Sequence, residues 1–434
     1  MINNFLNTSW GKNTKFYSKK YTPKKLSEIK SILSKNRNIT IQGNRRSYGD
    51  VCLGNKILTT KNLSKIIFFD KKKGEIVAES GVLLEKILKI IIPYGWFLYS
   101  TPGTKYVSIG GMVANNVHGK NSKQNLFRDS ILEIILIDGR GKIIKCTPKK
   151  NKKLFDITIG GFGLSGLILC VKFKLKKISS NSILQKIIEF KGFKKFFHLS
   201  KMKNYEYSVF WISKLQYNSI EGLLFLGNHQ KNEIIPKKIL FKQNELNKFQ
   251  LKVFSLIFKN FYFFNLLNFF YKKFKKYFYQ KKTSLNDFFY PQDRIKNWND
   301  AYGKSGFFQI QFLVKKKTLK KCTNTLIKFL NREKLFSTFI IIKKYNEEGE
   351  YLNFSGKGFS VSMDFSIGNK FNLLRSFFNQ LIIEYDLEVN FSKDLITQKE
   401  CIINKKKYFS FKKDIKKFNY NKFSSTFSKR LDII

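Results

Sequence analysis

The spacing of apolar residues divides the first part of the chain into short helices and strands. Apolar positions recur every three or four residues over 26–36 and 82–92, which predicts two helices. Pro93 and Gly95 follow the second helix and are expected to end it. Short apolar runs rich in Ile, Val and Phe predict strands at 38–42, 65–70, 75–80, 130–138 and 142–147.

Two further patterns complete the first 180 residues. Asp138, Gly139, Arg140 and Gly141 join two of the strands and predict a hairpin in which the glycines have a positive φ. Apolar and polar residues alternate over 169–176, as in a strand with one exposed face. This part of the chain therefore predicts a mixed α+β region with many short strands.

Beyond residue 180 the segments become longer, more aromatic and richer in lysine. Strand patterns occur at 205–212, 307–314, 338–344 and 359–365, and 241–282 consists mainly of Phe, Leu, Tyr and Lys. No internal repeat is evident. A chain of 434 residues exceeds the usual size of one compact core, so two domains are expected.

The net charge of +52, from 82 Lys and Arg against 30 Asp and Glu, has two interpretations. An anionic partner such as nucleic acid or an acidic membrane would select for it. Drift of the genome toward codons rich in A and T would also produce it, because the chain is rich in Lys, Asn and Ile and has 46 Phe. The lysines are spread along the whole chain, which favours drift, and no nucleic-acid partner is expected.

Cysteine and histidine usage argues against two kinds of site. The five cysteines (52, 146, 170, 322 and 401) form no CxxC pair, so neither a disulfide framework nor a zinc site is predicted. The three histidines (118, 198 and 229) lie far apart in sequence, and no metal is expected. The first ten residues lack a basic segment followed by an apolar core, so the protein is expected in the cytoplasm.

Three glycine-bearing turns carry the functional prediction. They lie at 43–50, at 102–104 with a continuation through 108–121, and at 160–166. Backbone N–H groups exposed by such turns can cradle a pyrophosphate, and glycine lets a ligand approach closely. One such turn usually just reverses the chain, but three in one region favour a shared binding function.

The order and wording of these turns resemble the flavin domain shared by vanillyl-alcohol oxidase, p-cresol methylhydroxylase and the aldonolactone oxidases. A closer resemblance is to the decaprenylphosphoryl-β-D-ribose 2-oxidase family. Five blocks carry it in the family's order: RSYGD at 46–50, HGKN at 118–121, WNDAYG at 298–303, GFFQIQF at 306–312 and SKD at 392–394. The resemblance covers most of the chain and is weakest over 193–283.

The resemblance implies an α+β fold with a two-part FAD-binding domain of the p-cresol methylhydroxylase type. Residues 1–177 and a C-terminal return, 386–434, would form that domain. Residues 178–385 would form a substrate (cap) domain with an antiparallel sheet over the reactive face of the flavin.

The resemblance also implies which residues hold the FAD. They are Gly43, Asn44, Arg45, Arg46, Ser47, Tyr48, Pro102, Gly103, Thr104, Ser108, Gly110, Gly111, Asn115, His118, Gly119, Gly161, Gly163, Gly166 and Ile168. Two of them depart from the family pattern. Arg45 replaces the usual second glycine of the first turn, and Arg46 stands where covalent members of the superfamily carry the flavin-linking histidine, so the FAD is expected to bind without a covalent bond.

The same resemblance places Lys393, Tyr48 and His118 at the reacting centre, where Lys393 would accept the hydroxyl proton or hold the developing alkoxide. It implies a substrate pocket formed by Lys120, Gln309, Gln311, Lys343, Ser360, Ser362 and Lys393. Trp211 would also line the pocket, although the residues around it match the family poorly. The Lys343 ammonium would suit a phosphate. Ser360 and Ser362 replace the asparagine and cysteine of the mycobacterial members, so the chemistry needs no cysteine and the sugar specificity stays open.

The favoured function is oxidation of the ribose 2′-hydroxyl of a polyprenyl-phosphate ribose to the 2′-keto sugar. An NADH-dependent short-chain reductase would act as the pathway partner and complete epimerisation to the arabinose donor of a cell-envelope glycan. The alternative is a D-arabinono-1,4-lactone oxidase acting on a soluble sugar lactone. A third possibility, from another class, is a nucleic-acid or membrane-binding protein without catalysis, which a yellow purified protein would disfavour.

The aromatic segment 251–271 is apolar enough to resemble a membrane span, but Lys252 and Lys259 interrupt it. Lys272, Lys273, Lys275 and Lys276 follow it directly. This pattern favours either a helix at an anionic lipid interface or a helix packed on the substrate domain. In the first case the protein would lie peripherally on the inner face of the cell membrane, with 241–278 accommodating the lipid.

Overall fold

A computed structural model of the chain describes residues 2–121, 126–231, 233–277, 280–347 and 349–434. Phe278, the last residue of the segment predicted to accommodate lipid, lies outside the described residues. The side chain of Lys276 also lies outside them. The described residues form helices and mostly antiparallel sheets, which confirms the α+β class.

The first 177 residues contain eleven short strands and four α-helices among the described residues. The strands are β1 Ile2–Thr8, β2 Lys15–Tyr21, β3 Ile39–Gln42, β4 Lys56–Thr59, β5 Ile66–Asp70, β6 Glu75–Glu79, β7 Trp96–Phe97, β8 Ile131–Ile137, β9 Ile143–Cys146, β10 Leu167–Lys174 and β11 Lys176–Lys177. The helices are α1 Leu26–Lys35, α2 Leu84–Ile91, α3 Ile109–Ala114 and α4 Lys152–Thr158.

These strands form two main sheets and one small one. One sheet has the order β1-β2-β4-β3, and its β2–β4 and β3–β4 pairs are parallel. The other has the order β5-β6-β10-β8-β9 and is antiparallel throughout. The two-residue strands β7 and β11 pair with each other. Helix α2 packs its buried face, formed by Leu84, Ile87, Leu88 and Ile91, into the main core.

Residues 182–389 form one antiparallel sheet of order β15-β12-β14-β13-β17-β18-β16-β19. Its strands are β12 Ser182–Lys191, β13 Tyr207–Gln216, β14 Ser219–His229, β15 Gln280–Ser284, β16 Phe307–Val314, β17 Phe339–Glu347, β18 Gly356–Ser366 and β19 Glu388–Val389. The helices from here to the C-terminus are α5 Phe193–Leu199, α6 Lys248–Ile257, α7 Phe261–Tyr277, α8 Leu285–Phe289, α9 Leu319–Arg332, α10 Phe371–Glu384, α11 Lys406–Asn419 and α12 Thr426–Arg430.

The C-terminal segment returns to the first sheets. Ser424 N–H donates to Ile39 O at 3.0 Å, and Thr426 N–H donates to Leu53 O at 2.8 Å. The Asn419 amide nitrogen donates to Leu164 O at 2.8 Å. These contacts join the last fifteen or so residues to strands formed at the start of the chain; the division into domains at 177 and 385 stays a prediction.

The predicted helices and strands lie within a few residues of those observed. Helix 26–36 is α1, strand 307–314 is β16, and strand 359–365 lies within β18. The hairpin between β8 and β9 is also confirmed, but only Gly141 has a positive φ, of 84°. Gly139 is required for another reason, because a Cβ there would lie 2.0 Å from Asn419 O.

The aromatic segment folds as two helices, α6 and α7, with a bend of 102° between them. In the described chain, no single helix is long and apolar enough to cross a membrane; this bent pair passes the criterion only when its two helices are taken together.

Candidate functional site

The three glycine-bearing turns meet around α3. Gly43, at the end of β3, packs on the residue that caps α3, so that a Cβ at Gly43 would lie 2.1 Å from Ser108 Oγ. The third turn contacts the C-terminal end of α3, where Phe162 N–H donates to Ala114 O at 2.8 Å. Segments separated by more than a hundred residues therefore form one contiguous region.

Most glycines of these turns make room for the protein itself. A Cβ at Gly161 would lie 2.1 Å from Ile157 O, and one at Gly166 would lie 2.5 Å from Ile137 O. Gly103 differs, because nothing lies within 4 Å of its Cβ position in the described structure. The expectation that glycines admit a close ligand therefore fits Gly103, whereas at Gly161 and Gly166 glycine is needed for chain packing.

Arg45 and Arg46 have unusual environments at the first turn. Arg45 has a φ of 52°, in the left-handed region that glycine adopts without strain, which explains why glycine is usual at this position. The Arg46 guanidinium lies 3.8 Å from the centroid of the Trp10 ring and 5.5 Å from that of Tyr106. Burial lowers the pKa of Arg46, while Asp293 raises it.

Buried polar atoms around the turns have no hydrogen-bond partner in the described chain. They are Arg46 Nε, Asn115 Oδ1, Asn116 Nδ2, His118 Nδ1 and Asn121 Oδ1. Because buried polar groups in folded proteins are nearly always paired, these atoms fit a ligand that is itself large and polar. A dinucleotide meets that requirement, since its pyrophosphate, ribityl and ring groups supply both donors and acceptors.

An ionic clamp fixes the first turn against the loop that carries Lys393. Arg430 donates to both carboxylate oxygens of Asp50, at 2.9 and 3.0 Å, and lies 3.1 Å from Asp394. A Cβ at Gly49 would lie 1.8 Å from Asp394 O. The RSYGD and SKD blocks are therefore in direct contact, although more than 340 residues separate them.

This clamp positions Lys393 over Tyr48. Lys393 Nζ lies 5.7 Å from the centroid of the Tyr48 ring, and Phe307 packs edge-on against the same ring at 5.5 Å. Burial lowers the pKa of Lys393 to about 8, while Asp364 raises it. Burial also raises the pKa of Tyr48, so its hydroxyl stays protonated.

The substrate-side residues share one face of the large sheet. Gln311 on β16 pairs with Ser362 on β18, and Ser360 on β18 pairs with Lys343 on β17. Side chains two residues apart on a strand point the same way, and the Gln311 amide donates to Ser360 Oγ at 2.6 Å.

The same spacing adds Asp364, which the sequence analysis missed as a site residue. Asp364 pairs with Gln309 and accepts a hydrogen bond from its amide nitrogen. Burial raises the pKa of Asp364 to about 7.

A chain of hydrogen bonds determines the orientation of His118. Ser392 N–H donates to Asn390 Oδ1 at 3.2 Å, which fixes the Asn390 amide. Asn390 Nδ2 then donates to Gln311 Oε1 at 2.8 Å, and Gln311 Nε2 lies 3.1 Å from His118 Nε2. His118 Nε2 must therefore accept, which leaves the proton of the neutral ring on Nδ1. Burial, Lys343 and Lys393 lower the pKa of His118 well below its usual value, so the ring is neutral.

Three half-buried lysines converge beside His118. Lys343 Nζ donates to Gly119 O at 3.1 Å, and Lys120 Nζ donates to the carbonyl oxygens of Phe288 and Phe289. Burial lowers the pKa of Lys343 to about 7, with Lys393 and Lys120 contributing. Burial also lowers the pKa of Lys120 to about 7. In the described part of the chain, no carboxylate forms an ion pair with any of the three lysines.

The other predicted residues have varied environments. The Asn44 amide donates to Tyr106 O, Ser47 O accepts from Trp10 N–H, and Thr104 Oγ1 accepts from Tyr106 N–H. Pro102 precedes Gly103 in the second turn. Ile168 lies on β10 in the main core. Trp211 packs in an apolar cluster with Ile187 and Leu223, and its ring centroid lies 4.9 Å from that of Tyr271 of α7. It pairs with Ile341, which in turn pairs with Ser362, so Trp211 lies on the same face of the large sheet as the substrate-side residues.

Three residues of the site were not predicted: Asp364, Asn390 and Arg430. Asp364 was detectable by its period-two spacing from Ser360 and Ser362, whereas Asn390 and Arg430 act through contacts between distant segments. Among the described residues, no group of three or more His, Cys, Asp or Glu side chains could hold a metal ion.

This chain is similar in sequence to several known proteins. Residues 21–147 match the family described as FAD binding domain. Decaprenylphosphoryl-beta-D-ribose oxidase of Mycolicibacterium smegmatis is 25% identical over 84% of this chain and 82% of its own length. L-gulonolactone oxidase of Mus musculus is 21% identical over 39% of this chain and 41% of its own length. D-arabinono-1,4-lactone oxidase of Candida glabrata is 23% identical over 37% of this chain and 32% of its own length.

The match to the FAD binding domain covers the first two glycine-bearing turns, and the similarity to the ribose oxidase extends over most of the chain. The unpaired polar atoms around the turns fit the same cofactor. The chain is therefore an FAD-dependent oxidoreductase, similar over most of its length to decaprenylphosphoryl-beta-D-ribose oxidase and over part of it to the sugar-lactone oxidases.

Proposed function

We propose that this enzyme oxidises a secondary hydroxyl of a sugar that carries a phosphate, namely the ribose 2′-hydroxyl of a polyprenyl-phosphate ribose. The observation that carries the proposal is the proximity of Lys120, Lys343 and Lys393 to one another beside His118. Burial disfavours the protonation of all three side chains and lowers their pKa values, and Lys393 and Lys120 lower that of Lys343 further. An anionic group of the substrate would favour the charged forms of these lysines.

Lys120 and Lys343 fit the phosphate, and Lys393 fits the reacting hydroxyl. Binding of a phosphate would raise the pKa of Lys120 and Lys343 from about 7 and favour their charged forms. Lys393 differs because Asp364 acts on it, and Asp364 belongs to the polar face of β18. The site thus has two lysines, Lys120 and Lys343, that bind the phosphate, and a titratable pair, Lys393 and Asp364, for proton transfer.

The residues of the site divide the proton chemistry between them. FAD, when bound through the three turns, supplies the acceptor for the hydride of the carbinol carbon. Lys393, with a pKa of about 8, exists partly as a neutral amine near neutral pH and can accept the hydroxyl proton. Asp364 then stabilises the ammonium that forms.

His118 acts as a donor and not as a base. Gln311 occupies its Nε2, and the proton on Nδ1 remains available to a ligand. The neutral ring can therefore hydrogen-bond to an oxygen of the substrate or cofactor.

Oxidation of a free aldonolactone is the second candidate, supported by the relationship to the lactone oxidases. A lactone carries no anionic group, so it would leave Lys120 and Lys343 without a charge partner.

The sugar ketone produced from the favoured substrate would be consumed by a separate NADH-dependent short-chain reductase, which would complete its epimerisation to the arabinose donor.

The kinetic effect of Lys343→Ala tests whether Lys343 binds the phosphate. Because the phosphate is bound equally in the ground and transition states, the variant should raise KM for a short prenyl-phosphate ribose about tenfold or more and change kcat little. Lys174→Ala, at an exposed lysine of β10, is the matched control and should change neither constant. An unchanged KM in Lys343→Ala would show that Lys343 does not bind a phosphate of the substrate.

A further inference from the structure

Helices α6 and α7 present an apolar face to solvent that their packing does not explain. Along α7 the side chains of Phe263, Leu266 and Phe270 are 59%, 53% and 59% exposed. Their spacing of three and four residues puts them on one face. On α6, Phe249 is 75% exposed. Contiguous exposed apolar surface of this kind is typical of an interaction site.

The opposite face of α7 is firmly attached to the protein. Phe264 is buried, Tyr271 packs on Trp211 at 4.9 Å, and Lys272 forms an ion pair with Glu189 at 2.8 Å. Helix α7 thus lies along the large sheet, on β12 and β13. These contacts fix the orientation of α7, so the face with Phe263, Leu266 and Phe270 points to solvent.

The charged side chains of α6 and α7 themselves all have the same sign. The 30 residues from Lys248 to Tyr277 contain seven lysines and no Asp or Glu. Lys252, Lys259 and Lys273 are exposed. Lysines beside exposed aromatic and aliphatic side chains match the interface of an anionic bilayer, where the rings enter the headgroup region and the ammonium groups meet lipid phosphates.

We propose that α6 and α7 dock the enzyme flat on an anionic lipid surface. The outer face of α7 enters the headgroup layer, and its inner face stays attached to the large sheet. The net charge of +52 adds a long-range attraction that does not depend on this pair of helices, here called the α6–α7 hairpin.

A continuous series of rings joins this surface to the catalytic site. Phe258 follows α6, and its ring centroid lies 4.8 Å from that of Tyr302. The Tyr302 ring stacks on Phe307 with a centroid distance of 4.2 Å. Phe307 contacts Tyr48, whose ring lies under Lys393. Docking through the hairpin would therefore bring the region of Lys393 close to the bilayer. The docking itself does not depend on which substrate is oxidised.

Flotation with vesicles tests the proposal on the FAD-loaded enzyme. The variant Phe263→Gln, Leu266→Gln, Phe270→Gln removes apolar contact without lowering helix propensity. Phe68→Gln, Ile143→Gln, Phe409→Gln is its control, because those three side chains are also exposed but lie on other elements. With vesicles of phosphatidylglycerol and phosphatidylcholine, the hairpin variant should bind at least tenfold more weakly than the control.

A second pair of variants separates local charge from net charge. Lys252→Glu, Lys259→Glu, Lys273→Glu and the control Lys30→Glu, Lys35→Glu, Lys149→Glu change the net charge equally. Only the first set should reduce binding by about tenfold or more, and salt should weaken wild-type binding. Lys272 is left unchanged because its ion pair supports the fold.

Three results would overturn the proposal. The first is that either hairpin variant binds vesicles as strongly as its control. The second is that the wild type binds phosphatidylcholine vesicles as strongly as anionic ones. The third is that the wild type is a dimer and the glutamine variant a monomer, with no change in flotation. The last result would assign the face to a second copy of the chain. Retained flavin and an unchanged far-ultraviolet spectrum establish that each variant is folded.

Discussion

Burial gives the individual side chains of this site their chemical properties. A lysine in water is protonated at neutral pH, whereas Lys393 has a pKa of about 8 because protein surrounds it. Burial raises the pKa of Asp364 to about 7, while the hydrogen bond from Gln309 and the charge of Lys393 lower it. Both groups therefore titrate near the pH at which an enzyme operates.

Lys393→Ala should retain FAD and lower the rate of flavin reduction by about 10²–10⁴-fold, because it removes the proton acceptor. The wild-type rate should rise as pH increases through about 8, since the neutral amine is the accepting form. Stopped-flow absorbance of the flavin measures both effects. A mutant that keeps the wild-type rate and pH dependence would exclude Lys393 from the chemical step, and loss of flavin would make it a cofactor ligand.

Arg46 leads to a prediction about the cofactor bond. An arginine cannot form the link that histidine makes to the flavin, and here the guanidinium is held against Trp10. Acid precipitation should therefore leave a yellow supernatant and a colourless pellet. Yellow colour retained in the washed pellet would contradict this expectation.

The strands and loops of the large sheet place these groups in register. Period-two spacing on β16 and β18 puts Gln309, Gln311, Ser360 and Asp364 on one face. The loop after β19 then adds Asn390, whose amide orients Gln311 and, through it, His118. A backbone N–H at Ser392 is the start of this series, so the tautomer of His118 depends on the fold of a distant loop.

Asn390→Asp should reverse that tautomer. A carboxylate cannot donate to Gln311 Oε1, so the Gln311 amide is expected to turn and present its oxygen to His118 Nε2. The proton would then move to Nε2. Nitrogen-15 NMR can follow this change, because the chain has only three histidines. Retention of the Nδ1-protonated form in the variant would show that Asn390 does not set the tautomer.

At the scale of the whole molecule, the C-terminus closes the site. Arg430 of α12 holds Asp50 of the first turn and Asp394 of the lysine loop. The site is therefore complete only when the first and last parts of the chain are packed together.

Arg430→Met should destabilise the protein by about 3–5 kcal/mol, because it leaves two buried carboxylates without their cation. Arg294→Met is a suitable control, since both partners of its ion pair with Asp287 are partly exposed and the pair should contribute less than about 1 kcal/mol. Urea denaturation measures both values. Equal losses in the two variants would contradict the role of the clamp.

Local patterns predicted the elements, while long-range contacts determined much of the site. Spacing of apolar residues predicted α1 and β16, and glycine-bearing turns indicated the cofactor region that the FAD binding domain match supports. The same reasoning misjudged Gly139, whose role depends on Asn419, 280 positions later. Arg430 and Asn390 were missed for the same reason: no local pattern marks a residue whose partners are distant in sequence.

The central claim is that a phosphate-bearing sugar, and not a free lactone, reduces the flavin. Its most direct test is anaerobic mixing of the purified enzyme with a short prenyl-phosphate ribose or with an aldonolactone, followed by flavin absorbance. We expect the phosphate sugar to bleach the flavin much faster, because Lys120 and Lys343 bind its anionic group. Rapid bleaching by the lactone with no response to the phosphate sugar would contradict the proposed substrate and leave the assignment as an FAD-dependent oxidoreductase intact.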